Sequence, residues 1–73
     1  MGRLLDRLAA GEPVRTEWEG DGGLNLYPLD DHQAQFDALT RRLMEHAGRD
    51  YVAFPRPAGP HHYDHVLVLP LDA

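Results

Sequence analysis

The chain lacks cysteine, lysine, serine and isoleucine altogether. Without cysteine there are no disulfides and no thiolate ligands for structural zinc, so the core must hold by packing alone or be completed by self-association. The absence of serine and cysteine also removes the two commonest covalent nucleophiles. Neither Thr16 nor Thr40 has a base beside it in the sequence to activate its hydroxyl. We therefore predict no catalytic residues and no enzymatic activity.

Long apolar runs are also missing, because no stretch approaches the ~20 residues that a membrane span needs. The start Met1–Arg7 contains an early acid, unlike a secretory signal. With 73 residues the chain fits one domain, residues 1–73, and we expect a cytoplasmic protein without membrane contact. All seven basic side chains other than histidine are arginine, which is typical of GC-rich bacterial, archaeal or phage genomes.

Hydrophobic periodicity predicts an α+β fold in the order α-β-β-α-β-β, with a mainly antiparallel sheet and one main helix packed on a face. Period-two alternation favours a hairpin with one wet face, and the apolar run at the end of the chain is typical of a strand covered on both sides. The predicted helices are Arg3–Ala10 and Asp31–Ala47, and the predicted strands are Val14–Glu19, Leu24–Tyr27, Tyr51–Phe54 and Tyr63–Leu69.

The main helix has predicted start and stop signals. Asp30 with Gln33 three residues later resembles a capping box, and Gly48 is placed to end the helix in the left-handed conformation. The apolar stripe consists of Phe36, Leu39, Leu43, Met44 and Ala47.

A weak internal repeat suggests two αββ units related by a pseudo-twofold axis. It matches Leu24 and Leu26 with Leu67 and Leu69, and Pro28-Leu29-Asp30 with Pro70-Leu71-Asp72. Chance similarity in so short a chain is the alternative.

Negative charge is concentrated in one segment. From Glu12 to Asp37 there are seven acids against one arginine, and the whole chain has a net charge of −5. Glu17 and Glu19 are predicted on the wet face of the first hairpin, with Asp21 at its tip. Such a surface disfavours direct nucleic-acid binding and favours a larger protein partner with a basic surface. An ordinary solvated face is the alternative interpretation.

Two further residues are candidate partner contacts. Trp18 shares a strand with the acids but lies on the opposite face, where core packing under the main helix is the expected role. Arg56, between Pro55 and Pro57, is predicted to be exposed on a pre-stiffened loop.

His61, His62 and His65 are the one group with the composition of a metal site. On an extended strand His61 and His65 would lie about 13 Å apart, so they converge only if the proline-rich loop curls. Partly exposed histidines on a hairpin flank are the alternative. The glycine-rich Gly20–Gly23 lacks the lysine of a phosphate loop and is predicted to be a turn, so no cofactor is expected.

Together these features predict a small acidic protein-binding module that inhibits or modulates a larger, nucleic-acid-handling enzyme. In size and charge the chain is similar to phage and mobile-element inhibitors such as anti-CRISPR proteins and RNA polymerase inhibitors, although no family motif is present. The alternatives are a homodimeric structural or regulatory subunit and a metal-binding module that uses the histidine cluster.

Overall fold

The computed structural model describes residues 14–20 and 22–71. These residues form one α-helix and four strands: β1 Val14–Trp18, β2 Leu24–Pro28, α1 Gln33–Glu45, β3 Tyr51–Pro57 and β4 Tyr63–Pro70. The α+β class, the antiparallel sheet and the single main helix are confirmed. The predicted helix Arg3–Ala10 lies outside the described residues. Within the described part of the chain, no helix is long and apolar enough to cross a bilayer.

The sheet has the strand order β1-β2-β4-β3, and every neighbouring pair is antiparallel. Each hairpin pairs its own strands, and the two hairpins join through β2 and β4, where Leu24 lies opposite Val68 and Leu26 opposite Val66. Because side chains alternate along a strand, these four residues share one face of the sheet. The helix packs against this face, over β2, β4 and β3.

The core lies between α1 and the sheet. Apolar helix residues at helical spacing meet the inward-facing side chains of the three strands beneath them, and each such buried side chain contributes roughly 1.5–3 kcal/mol. The buried core residues are Leu24, Leu26, Phe36, Leu39, Leu43, Tyr51, Val66 and Val68.

Two core predictions are wrong. Strand β4 is not covered on both sides, because Val66 and Val68 are fully buried against the helix while Leu67 and Leu69 face the other way and are only partly buried. Trp18 is not a core residue, since 52% of it is exposed. It lies at the end of the edge strand β1, beyond the strands over which the helix packs.

The helix starts and stops two residues inside the predicted bounds, and the capping-box prediction is wrong. The N-cap is His32, without a side-chain capping bond, and Asp31 has φ 65°, a left-handed conformation that excludes it from the helix. Gly48 is left-handed as predicted, with φ 104°, but it lies two residues beyond the C-cap His46, and its N–H donates to the Tyr51 carbonyl and not to the helix.

The strand registers relate the two hairpins by a pseudo-twofold axis normal to the sheet. The axis passes between Asn25 and Leu67, which lie opposite each other on the central strands. It equates Leu24 and Leu26 with Val66 and Val68, and by the same offset Pro28-Leu29 with Pro70-Leu71. The predicted repeat therefore agrees with the strand order, but its strand alignment shifts by one residue.

Strand β3 is an edge strand that two prolines protect. Pro55 lies opposite Val66 and has no N–H to donate, so these two residues form a non-hydrogen-bonded pair. The backbone groups at position 55 therefore point away from β4. By the same alternation the backbone N–H and C=O of Tyr51 point away from β4, although its side chain is in the core. The Tyr51 carbonyl accepts a hydrogen bond of 2.7 Å from the Gly48 N–H. Prolines at outward positions leave few donors for another strand to pair with.

Candidate functional site

The face of the sheet opposite α1 is covered by no described helix, and we call it the open face. Its side chains come from alternate positions on all four strands and form three rows across the sheet. They are Arg15, Glu17, Asn25, Tyr27, Val52, Phe54, Arg56, His65, Leu67 and Leu69, with Glu19 just past the end of β1.

The first row runs Arg15, Tyr27, His65, Arg56, and we call it the arginine–aromatic row. The guanidinium carbon of Arg15 lies 4.2 Å from the centre of the Tyr27 ring, a cation–π contact. The Tyr27 and His65 ring centres are 5.6 Å apart. The row therefore places two half-buried rings between two exposed arginines.

The second and third rows contribute an apolar corner, formed by Val52, Phe54, Leu67 and Leu69 on β3 and β4. Phe54 lies opposite Leu67 and is 54% exposed, so about half of this large apolar residue faces solvent. Val52, Leu67 and Leu69 are partly buried, so Phe54 is the exposed member of a contiguous apolar group. Contiguous apolar surface is typical of an interaction surface, whereas isolated exposed apolar side chains are common.

At the β1 side of the same two rows is an acidic corner, formed by Glu17 and Glu19. Glu17 is exposed and lies opposite Asn25, while the Glu19 carboxylate accepts a hydrogen bond from the Asn25 amide. The turn between β1 and β2 is held by a backbone hydrogen bond of 2.8 Å from the Glu19 N–H to the Gly23 carbonyl. The Asn25 bond therefore fixes the Glu19 carboxylate, and Asn25 on β2 separates the acidic corner from the apolar corner.

The predicted partner-binding residues are only partly brought together. Glu17, Glu19 and Arg56 lie on the open face. Trp18 lies on the helix side of β1, and Asp21 lies outside the described residues. Arg56 is exposed as predicted, but it lies on strand β3 and not in a loop, because the strand extends to Pro57. The sequence prediction favoured the core for Tyr27 and Phe54 and left out Leu67. Only the strand registers show that Phe54 and Leu67 turn away from the helix.

The three histidines do not converge. His62 Nδ1 contacts Asp37 Oδ2 at 2.7 Å, whereas His65 Nδ1 contacts Asp64 Oδ2 at 3.0 Å and its ring lies beside Tyr27. Within residues 14–20 and 22–71, no group of three or more histidine, aspartate or glutamate side chains is placed to hold a metal ion. The geometry gives the metal-binding alternative no support.

Asp37 forms the centre of a second polar cluster, which the sequence did not predict. It is 3% exposed, so it does not belong to the acidic surface. Its Oδ1 accepts from Gln33 Nε2 at 2.8 Å and from the Tyr63 N–H at 2.9 Å, and its Oδ2 meets His62. A carboxylate only accepts, so His62 Nδ1 donates this hydrogen bond.

The pKa of Asp37 reflects these contacts. Burial by itself raises the pKa, but hydrogen bonds from His62, the Tyr63 N–H and Gln33, together with the positive charge of His62, outweigh burial and hold the pKa below its ordinary value. A buried carboxylate that orients an imidazole is an arrangement also found in catalytic sites.

The chain matches no protein-family model, no curated protein and no solved structure. Any function must therefore be argued from the geometry of these two clusters.

Proposed function

We propose that the protein is a small acidic binding module that docks its open face on a larger protein and thereby inhibits or modulates it in the cytoplasm. The observation that carries this proposal is Phe54, half exposed in the apolar corner of a sheet face that no described helix covers. In this proposal Asp37 and His62 have a structural role.

The residue types on the open face support a protein partner. Tyrosine and arginine are enriched among the residues that dominate binding energies, and phenylalanine is enriched in interface cores. On this face Phe54 lies in the second row, and Tyr27, Arg15 and Arg56 lie in the adjacent arginine–aromatic row. A partner that covers Phe54 and Leu67 removes apolar surface from water without needing the module to rearrange.

The size of the open face favours a larger partner over a second copy of the chain. Four strands at ~4.8 Å and three rows of alternate residues span roughly 300 Å², whereas a standard interface buries about 800 Å² per partner. A concave surface on a larger protein can also contact the rim of this sheet and so bury more area. The same face of a second copy would contact the sheet face alone. The net charge of −5 also makes two copies repel.

The acidic corner supports a partner with basic groups. Glu17 is exposed in the same row as Leu67 and Phe54, and the charge of the chain as a whole is negative. Opposite charges across an interface accelerate encounter and fix its register, and the effect weakens as salt increases.

The test is site-specific photo-crosslinking in native lysate at low salt. A photoreactive phenylalanine analogue replaces Phe54 in one variant and Ala38, exposed on the outer side of α1, in the control. A protein crosslinked from position 54 and not from position 38 is then purified. Its affinity is compared for the wild type, Phe54→Asp and Ala38→Asp, which add the same charge.

We expect Phe54→Asp to weaken binding at least tenfold and Ala38→Asp to change it less than twofold. Equal affinities for the two variants would remove the open face as the docking site. Crosslinks that join two copies of the chain, with a dimer in sedimentation that Phe54→Asp dissolves, would support the homodimeric subunit instead.

A further inference from the structure

We propose that the arginine–aromatic row binds an extended acidic segment of the partner protein, with carboxylates four residues apart. This inference rests on the proposed function and deepens it, because it names what the partner places over one edge of the open face. It also differs from the expectation of a uniformly basic partner: basic groups meet the acidic corner, and acidic groups meet this row.

The two arginines at the ends of the row have unused binding capacity. Both are exposed, and neither forms an ion pair with a described carboxylate. Arg15 rests on the Tyr27 ring, which fixes its guanidinium over the sheet. A guanidinium that lies over a ring keeps N–H donors for a carboxylate, in the fork that matches its two oxygens.

The spacing of the row selects the shape of the ligand. Arg15 on β1 and Arg56 on β3 are separated by three strand-to-strand steps of ~4.8 Å, or about 14 Å. In an extended chain, residues i and i+4 point the same way and lie about 13 Å apart. An extended segment that crosses the strands along the row therefore brings one carboxylate to each arginine, and its residue i+2 meets the rings of Tyr27 and His65.

The negative groups near the row limit the ligand to a short segment. The Asp64 carboxylate contacts His65, with 3.0 Å between Oδ2 and Nδ1. Glu17 lies in the second row, on the same strand as Arg15. A nucleic-acid strand carries a charge at every phosphate and would pass over or near these carboxylates, on a chain of net charge −5. A protein segment can place two carboxylates at the arginines and neutral residues elsewhere.

The test is an NMR titration of the full-length chain, labelled with ¹⁵N, at low ionic strength. The first ligand is a seven-residue peptide with glutamate at positions two and six and neutral residues elsewhere. The second is the same peptide with both glutamates replaced by glutamine. The third is an oligothymidylate of similar length. The proteins are the wild type, Arg15→Gln/Arg56→Gln, and the control Arg41→Gln/Arg49→Gln, which removes the same charge from exposed positions off the open face.

We expect the glutamate peptide to shift the side-chain Nε signals of Arg15 and Arg56 and the backbone signals of Tyr27 and His65. Affinity should fall at least fivefold in Arg15→Gln/Arg56→Gln and less than twofold in the control. Equal shifts with the glutamine peptide, or equal losses in the two double variants, would overturn the proposal. So would tighter binding of the oligothymidylate through the same arginines, which would make the row a nucleic-acid site.

The titration needs no partner protein, so its result is separable from that of the crosslinking experiment. If Phe54→Asp abolishes partner binding but the peptide does not bind the row, the module stands and the acidic segment is wrong. If the peptide binds the row but no partner docks at Phe54, the row is an acidic-segment site and docking through the open face is wrong.

Discussion

Asp37 Oδ2 lies 2.7 Å from His62 Nδ1, and this contact joins the second turn of α1 to the loop that precedes β4. The same carboxylate accepts the Tyr63 N–H, and Gln33 bridges Asp37 Oδ1 and the Tyr63 carbonyl. His62 itself is 58% exposed, so the buried partner fixes a histidine that solvent still reaches. These hydrogen bonds hold the first two turns of α1 against the start of β4.

Replacing Asp37 with asparagine should destabilise the fold. The amide keeps the volume but has only one oxygen for donors that now use two, and its NH₂ group points at an N–H or an imidazole N–H. We expect the free energy of unfolding in urea to fall by about 1–3 kcal/mol with an unchanged m-value. The control Asp30→Asn, exposed in the turn before the helix, should change it by less than about 0.5 kcal/mol. Equal effects would show that the cluster contributes no stability.

The lowered pKa of Asp37 predicts how this stability depends on pH. A carboxyl whose pKa is lower in the folded state contributes its full stability above the unfolded value of about 3.9, and the contribution is lost as the pH falls through the folded value. The stability difference between the wild type and Asp37→Asn should therefore be constant above about pH 5 and shrink below about pH 4. Urea titrations of both proteins across this range measure it. A difference that stays the same at the lowest pH would show that Asp37 is not linked to folding.

The sequence could not predict this cluster, although it predicted the helix and strands around it. Asp37 follows Phe36 at the margin of the apolar stripe, where an acid normally points to water. Its partner His62 is 25 positions away, and only the packing of α1 on β4 brings them together. Local patterns report which face a residue is on, but not which distant polar group meets it.

The open face was predictable only in part for a similar reason. Alternation in β1 put Glu17 on the correct face, since the charged residues Arg15 and Glu17 alternate with uncharged ones. In β4 the run Val66–Leu69 is apolar throughout, so periodicity does not distinguish the inward valines from the outward leucines. The register with β2 makes that distinction, and it depends on a pairing between strands far apart in the chain.

Tyr51 should contribute stability through a single hydrogen bond. Its hydroxyl donates to the Leu43 carbonyl at 2.6 Å, at the end of α1, where the Ala47 N–H bonds to the Met44 carbonyl instead. Tyr51→Phe keeps the ring but leaves this buried carbonyl without its donor, so the free energy of unfolding should fall by about 1–2 kcal/mol. Tyr27→Phe, on the half-exposed ring of the open face, is the control and should have less than half that effect. Urea denaturation compares the two variants, and equal losses would contradict a role for the Leu43 bond.

Pro55 and Pro57 should keep the protein from associating through the edge of β3. Both occupy positions that point away from β4, so replacing them adds outward N–H donors without removing a bond inside the sheet. Pro55→Thr/Pro57→Thr then presents, with Tyr51 and Ala53, a longer row of donors to a second copy. We expect sedimentation velocity to show concentration-dependent association for this variant and little for Pro60→Thr, which changes the loop between β3 and β4. A double variant that sediments like the control at every concentration would show that the prolines do not protect this edge.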